Sequence, residues 1–157
     1  MIKTKNLLFL CFCLLYISNS AAQNSSRIIG NWLTQEKRAI FHIYEKDGKF
    51  FGKLVWSESP EGTDGNNPDE SLRNRKTLGL DLLTDLVYNP KRDRWEKGNI
   101  YNPEDGHTYS SQCTLSDDGT KLYFRGFLGI SLLGRTQTWT RVKDLPAIDT
   151  TRYNTNK

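Results

Sequence analysis

The sequence predicts an all-β protein, a single antiparallel up-and-down barrel of about eight strands. Three observations carry this prediction. Eight short stretches with strand character recur along the chain, bounded by turn signals. Nearly all of them are joined by links of hairpin length. No helical partner accompanies them, so the strands must bury their faces against each other. A closed barrel does this and removes the sheet edges. A two-sheet β-sandwich is the alternative. An eight-stranded barrel is just wide enough to be filled by side chains or to hold one small ligand.

Residues 1–22 read as a signal peptide. Lys3 and Lys5 form its positive start, and an apolar run follows at 7–17. That run is short of the ~20 residues a membrane-spanning helix needs. Ser20-Ala21-Ala22 supplies the small residues of a cleavage site after Ala22. The expected location is therefore periplasmic or secreted. Cleavage would remove two lysines and no acid, taking the net charge from +4 to +2. So small a charge gives no basis for nucleic-acid binding. Cys11 and Cys13 would leave too, so Cys113 remains without an internal disulfide partner. A buried, thiol-inert Cys113 is the expectation, and a reactive thiol the alternative.

Residues 23–27 read as a flexible polar lead, 28–142 as the barrel and 143–157 as a loose tail. The strands are expected at 30–33, 38–45, 49–56, 81–88, 94–101, 108–115, 120–127 and 135–142. Asp47-Gly48 is a strong hairpin signal. Asn89-Pro90 and Ser116-Asp117-Asp118-Gly119 mark two further turns.

Two segments break the rhythm. Residues 57–80 are long and polar, with Asn67-Pro68-Asp69-Glu70 as a helix-start signal and one helical turn expected at 71–75. A link of that length is often a lid or binding loop. Residues 128–134 interleave Leu128, Ile130, Leu132 and Leu133 with Gly129 and Gly134. They read either as a buried crossing or as an exposed apolar rim.

Two resemblances follow from particular motifs. Gly30-Asn31-Trp32 at the first strand resembles the Gly-x-Trp signature of lipocalins and related calycins. That resemblance implies that Trp32 plugs one barrel end and that Arg141, near the last strand, packs over it. Three longer motifs resemble the exported bacterial domain-of-unknown-function family DUF2147, across about residues 28–142. They are Asn67-Pro68-Asp69 with Leu72-Arg73-x-Arg75, then the run from Gly98 to Tyr109, then the run from Arg125 to Trp139. Asn102 stands where members of that family commonly carry Asp, which weakens a carboxylate role there. The resemblance implies a calycin-like barrel and export, and no activity.

Alternation along each strand groups the candidate site residues. Arg125 lies between Tyr123 and Phe127 on one face. Inside an apolar barrel its guanidinium would need a carboxylate or phosphate partner; on the outside it would be a surface charge. Arg135 and Gln137 share a face with Trp139 and Arg141. They read as polar anchors for a ligand or as caps of the barrel end. Trp56, Tyr101, Tyr109 and Trp139 are candidate walls, and Tyr123 is a further candidate contact. Arg73 and Arg75 could pair the loop's acids or reach over the mouth to an anion. Asp64, Asn66, Asn67, Asp69 and Glu70 are hard oxygen donors, but their spacing fits no EF-hand. His42 and His107 stand alone, and no cofactor or metal is expected.

The leading function is a binding module for a small apolar or amphipathic molecule, with an anionic group as one form of it. The second is an envelope interaction protein, a side-chain-filled barrel docking a partner protein or the membrane surface through its apolar rim. The third is a hydrolase of envelope material, which needs two acids or a nucleophile–base pair within reach. Oligomeric state is not legible.

Overall fold

The computed structural model describes residues 24–129 and 134–146. The signal segment at 1–22, the rim residues 130–133 and the tail from 147 lie outside the described residues. Eight strands form one closed antiparallel barrel in sequence order. They are β1 (Gly30–Leu33), β2 (Ala39–Lys46), β3 (Lys49–Ser57), β4 (Asp81–Asn89), β5 (Arg94–Asn102), β6 (His107–Leu115), β7 (Lys121–Phe127) and β8 (Arg135–Val142). Pairing of β1 with β8, Trp32 opposite Arg141, closes the ring. Closure excludes the sandwich.

An up-and-down barrel sends alternate connections to opposite ends. The β2–β3, β4–β5 and β6–β7 turns gather at one end with the N-terminal segment. The β1–β2, β3–β4, β5–β6 and β7–β8 connections gather at the other, the mouth. Lys46 pairs directly with Lys49 across Asp47-Gly48, the two-residue hairpin the sequence signals.

The closed end is filled by side chains. Ile28, Trp32, Phe50, Leu86, Trp95 and Leu122 are each at most 1% exposed. Trp95 meets Phe50 edge-on at 6.3 Å and Tyr88 at 5.0 Å between ring centres. Fully burying aromatic side chains of this size is worth about 4–6 kcal/mol each by area, an upper figure. Cys113 sits in the same core, and burial pushes its thiol pKa up, so it is not a ready nucleophile.

Residues 25–29 are not a loose lead. Ile28 plugs the barrel, and the backbone around it serves as a set of acceptors. Trp95 Nε1 donates to Ser25 O at 3.1 Å, and Trp32 Nε1 to Ile28 O at 2.8 Å. Arg141 donates to Arg27 O at 2.6 Å and Ile29 O at 2.8 Å. The ordering comes from carbonyls, which every residue type carries, so polar side chains there gave no sign of it.

The long 58–80 connection is equally ordered. Its C-terminal end pairs with β3 just ahead of β4, with Leu54 N–H on Leu80 O at 2.9 Å and Gly79 N–H on Leu54 O at 2.8 Å. The expected helical turn is a single 3₁₀ turn at Glu70–Leu72, capped by Asp69 accepting from Ser71 N.

Candidate functional site

The mouth half of the barrel is hollow. A cavity of about 910 Å³ opens there, within the ~300–1,000 Å³ range of small-molecule sites. Its deep walls are Phe41, Leu54, Leu82, Ile100, Phe124 and Trp139. Trp139 is sandwiched between Phe41, at 5.0 Å, and Phe124, at 4.4 Å, with the rings within 16° of parallel. Three stacked rings thus make an apolar floor. Gly126 lies above Phe124 on the same face of β7 and leaves the space open.

Polar groups enter along the inner face of β8. Trp139 Nε1 donates to Gln137 Oε1 at 2.9 Å, and Gln137 Nε2 donates to Glu36 Oε1 at 3.3 Å. Arg135 reaches Glu36 at 3.9 Å. Across the rim, Arg38 sits between Glu58 at 3.3 Å and Glu104 at 3.5 Å. These rim groups are largely in water.

One wall of the mouth is the long connection itself, through Gly62, Thr63, Gly65, Asn66 and Thr77. Asp64 is the pin that holds it. Its side chain is fully buried and accepts from Tyr101 Oη at 2.5 Å, Asn67 Nδ2 at 2.6 Å and Arg75 Nη2 at 2.8 Å. Burial alone would raise the Asp64 pKa, but these donors outweigh it and hold the carboxyl below its ordinary range. Burial and the Asp64 carboxylate push Tyr101 up to about 12. A second clasp joins Asn66 Nδ2 to Glu104 O at 2.8 Å, where a Cβ on Gly106 would fall 2.0 Å from Asn66 O. Only glycine permits that approach, and Gly106 also has φ near +71°.

The sequence-predicted residues divide between three places. Tyr101, Tyr109, Trp139, Arg135 and Gln137 line the cavity. Trp56 does not. Phe41 pairs with Leu54 but Ile40 pairs with Trp56, so Val55 is an extra residue on β3. This bulge reverses the alternation: Ser57 faces the cavity and Trp56 shares the outer face with Ile40. Arg125 and Tyr123 are also on the outer face, because their neighbours Phe124 and Gly126 are the inner ones. Arg125 donates to Thr136 Oγ1 at 2.8 Å, and Tyr123 is 41% exposed. The surface reading of Arg125 is the one the barrel gives. Arg73 and Arg75 pair locally, with Glu70 at 3.1 Å and Asp64 at 2.8 Å, instead of reaching over the mouth.

Gly30, Trp32 and Arg141 form the closed end. The Arg141 guanidinium lies 4.2 Å from the centre of the Trp32 ring, a cation–π contact. A Cβ on Gly30 would stand 2.7 Å from Arg141 Nη1, at a φ of +135° that side chains rarely adopt. Sequence reasoning passed over Phe41, Leu82, Ile100 and Phe124 as walls and Asp64–Tyr101 as a clasp. The alternation of Leu122, Phe124 and Gly126 was the available sign for β7. Nothing in the sequence pairs Asp64 with Tyr101.

Among the described residues, no histidine or cysteine lines the cavity, and no lining serine or threonine is hydrogen-bonded to a base. A hydrolase would need such a pair or two cooperating acids. Of the 128–133 rim, Leu128 is exposed and residues 130–133 lie outside the described residues.

A family model described as "Uncharacterized protein conserved in bacteria (DUF2147)" matches residues 30–141. Among solved structures the barrel is similar to one described as "Protein HP1028 from the human pathogen Helicobacter pylori belongs to the lipocalin family". That match has a TM-score of 0.67 and 30% identity, over 74% of this chain and 84% of that one. No curated protein matches the chain. Closed eight-stranded barrel, Trp–Arg closure and family match converge: the chain belongs to the DUF2147 family and is built on a lipocalin-like barrel.

Proposed function

We propose that this barrel is a binding module for a small apolar or amphipathic molecule. The observation that carries the reading is the hollow mouth half, about 910 Å³ walled by aromatic and aliphatic side chains. A packed core has few voids larger than a water molecule, so a space of this size is built to be filled. The similarity to a protein described as a lipocalin supports the same reading. Arg125 has no part in it, and the polar contacts fall to Gln137, Arg135 and the rim.

The site of action we propose is outside the cytoplasm, after cleavage behind Ala22. N-terminal sequencing of the mature protein should begin at Gln23. For the binding role, protein purified from its own host should carry a retained small molecule in native mass spectrometry. A clean ligand-free mass, together with no uptake of a fluorescent apolar probe, would sink it.

A further inference from the structure

We infer that the occupant is an amphipath with a cationic head, an alkylammonium in chemical class. Its charge sits beside Glu36 and its tail runs down to Trp139; this rests on the binding role proposed above. Polar residues ring the mouth of the cavity, and one hydrogen-bonded line runs from them down to its apolar floor. The floor and deep walls are Phe41, Leu54, Leu82, Ile100 and Phe124, and the line runs from Trp139 and Gln137 on the inner face of β8 to Glu36 on the β1–β2 turn. That line ends in a carboxylate at the mouth. An elongated ligand meeting both surfaces needs an apolar body and a polar end next to Glu36.

Charge selects the sign of that end. The described lining residues include three carboxylates, Glu36, Glu58 and Glu104, and two guanidiniums, Arg38 and Arg135. Arg38 is taken by Glu58 and Glu104. Arg135 stands 3.9 Å from Glu36, beyond hydrogen-bond distance, with its side chain 80% exposed. Three carboxylates thus face two guanidiniums, and Glu36 is the one held at the longest ion-pair distance, its Oε2 taking no hydrogen bond among the described residues. The whole chain is net positive at +4, so this acidic surplus is local to the mouth. An anionic head would meet like charge, and a cationic head meets Glu36.

Dodecyltrimethylammonium and dodecanoate, matched in chain length and kept below their micelle concentrations, are titrated against the mature protein. The readout is displacement of a neutral apolar fluorophore at neutral pH. The expected result is a three- to fivefold preference (roughly) for the ammonium, the scale of a partly exposed charge pair. It should shrink at high salt and vanish in Glu36→Gln, which keeps the Gln137 contact. Arg135→Gln should enlarge it. A preference for dodecanoate, or one untouched by Glu36→Gln, overturns the cationic class while leaving the binding role standing. A bound fluorophore displaced by neither probe overturns the cationic class, and failure of the fluorophore itself to bind overturns the binding role.

Discussion

The two ends of the barrel use the same residue types in opposite ways. At the closed end Arg141 lies over Trp32 and spends its donors on the carbonyls of Arg27, Ile29 and Gly119. At the mouth two arginines, Arg38 and Arg135, face the flexible carboxylates of Glu36, Glu58 and Glu104. Those carbonyls belong to the hydrogen-bonded N-terminal turn and to the β6–β7 turn, so Arg141 is locked. Side-chain carboxylates in water can turn away, so the mouth can rearrange around a guest. Packing follows the same division: Leu122 is surrounded at one end, and Leu54 looks onto empty space at the other. One end is filled and locked, and the other is left open.

The largest expected effect sharpens that division with one substitution made twice. Leu122→Ala leaves a new void in a filled region and should cost about 3–5 kcal/mol. Leu54→Ala only widens a space already there and should cost about 1–2 kcal/mol, because fewer contacts are lost. Urea unfolding of both variants gives the comparison. Equal losses would mean that the mouth half is packed and the cavity reading is mistaken.

The next effect compares the arginines. Arg141→Met strips three carbonyls of their donor and removes the contact with Trp32, an expected loss of about 2–3 kcal/mol. Arg135→Met removes only an exposed, long ion pair and should shift stability by less than about 0.5 kcal/mol. Thermal melts would show it. A comparable loss at Arg135 would place the mouth among the stabilising elements and break the comparison. Gly30→Ala should resemble Arg141→Met in direction, since its Cβ would displace the guanidinium.

The closed end was legible in part: the Gly-x-Trp resemblance to lipocalins implied that Trp32 and Arg141 close it, while the ordering of 25–29 rests on backbone carbonyls that no side chain announces. All eight strands were legible too, because alternation and turn residues are local properties. The cavity lining was legible only in part. Alternation gives two faces but does not say which is inner, and on β7 the arginine drew attention away from Phe124 and Gly126. On β3 the bulge at Val55 reversed the alternation, and no residue near Trp56 announces a bulge. The Asp64–Tyr101 clasp joins positions 37 apart in sequence, a pairing that only the closed barrel creates.

The smallest expected effect tests whether that clasp belongs to the mouth alone. The Asp64 carboxyl titrates below its ordinary value of 3.8. A carboxylate lowered by folding contributes stability that is fully present above the unfolded value and lost as pH falls through the folded one. Between neutral pH and about 5, Asp64 should therefore hold the loop unchanged. Below 3.8 the hydrogen bonds from Tyr101, Asn67 and Arg75 weaken as the proton arrives. Asp69, Asp105 and Asp118 are also lowered, so global stability mixes several groups. Hydrogen-exchange protection separates them. The amides of Asp64 and Thr77, bonded to Arg75 O and Gly62 O, should lose protection in acid. That of Ile29, bonded to Ser26 O at the closed end, should keep it over the same range. In Asp64→Asn the loop amides should be less protected at neutral pH and lose the acid step. If all three amides open together, the loop and the closed end unfold as one unit, and the mouth is no more adaptable than the plug beneath it.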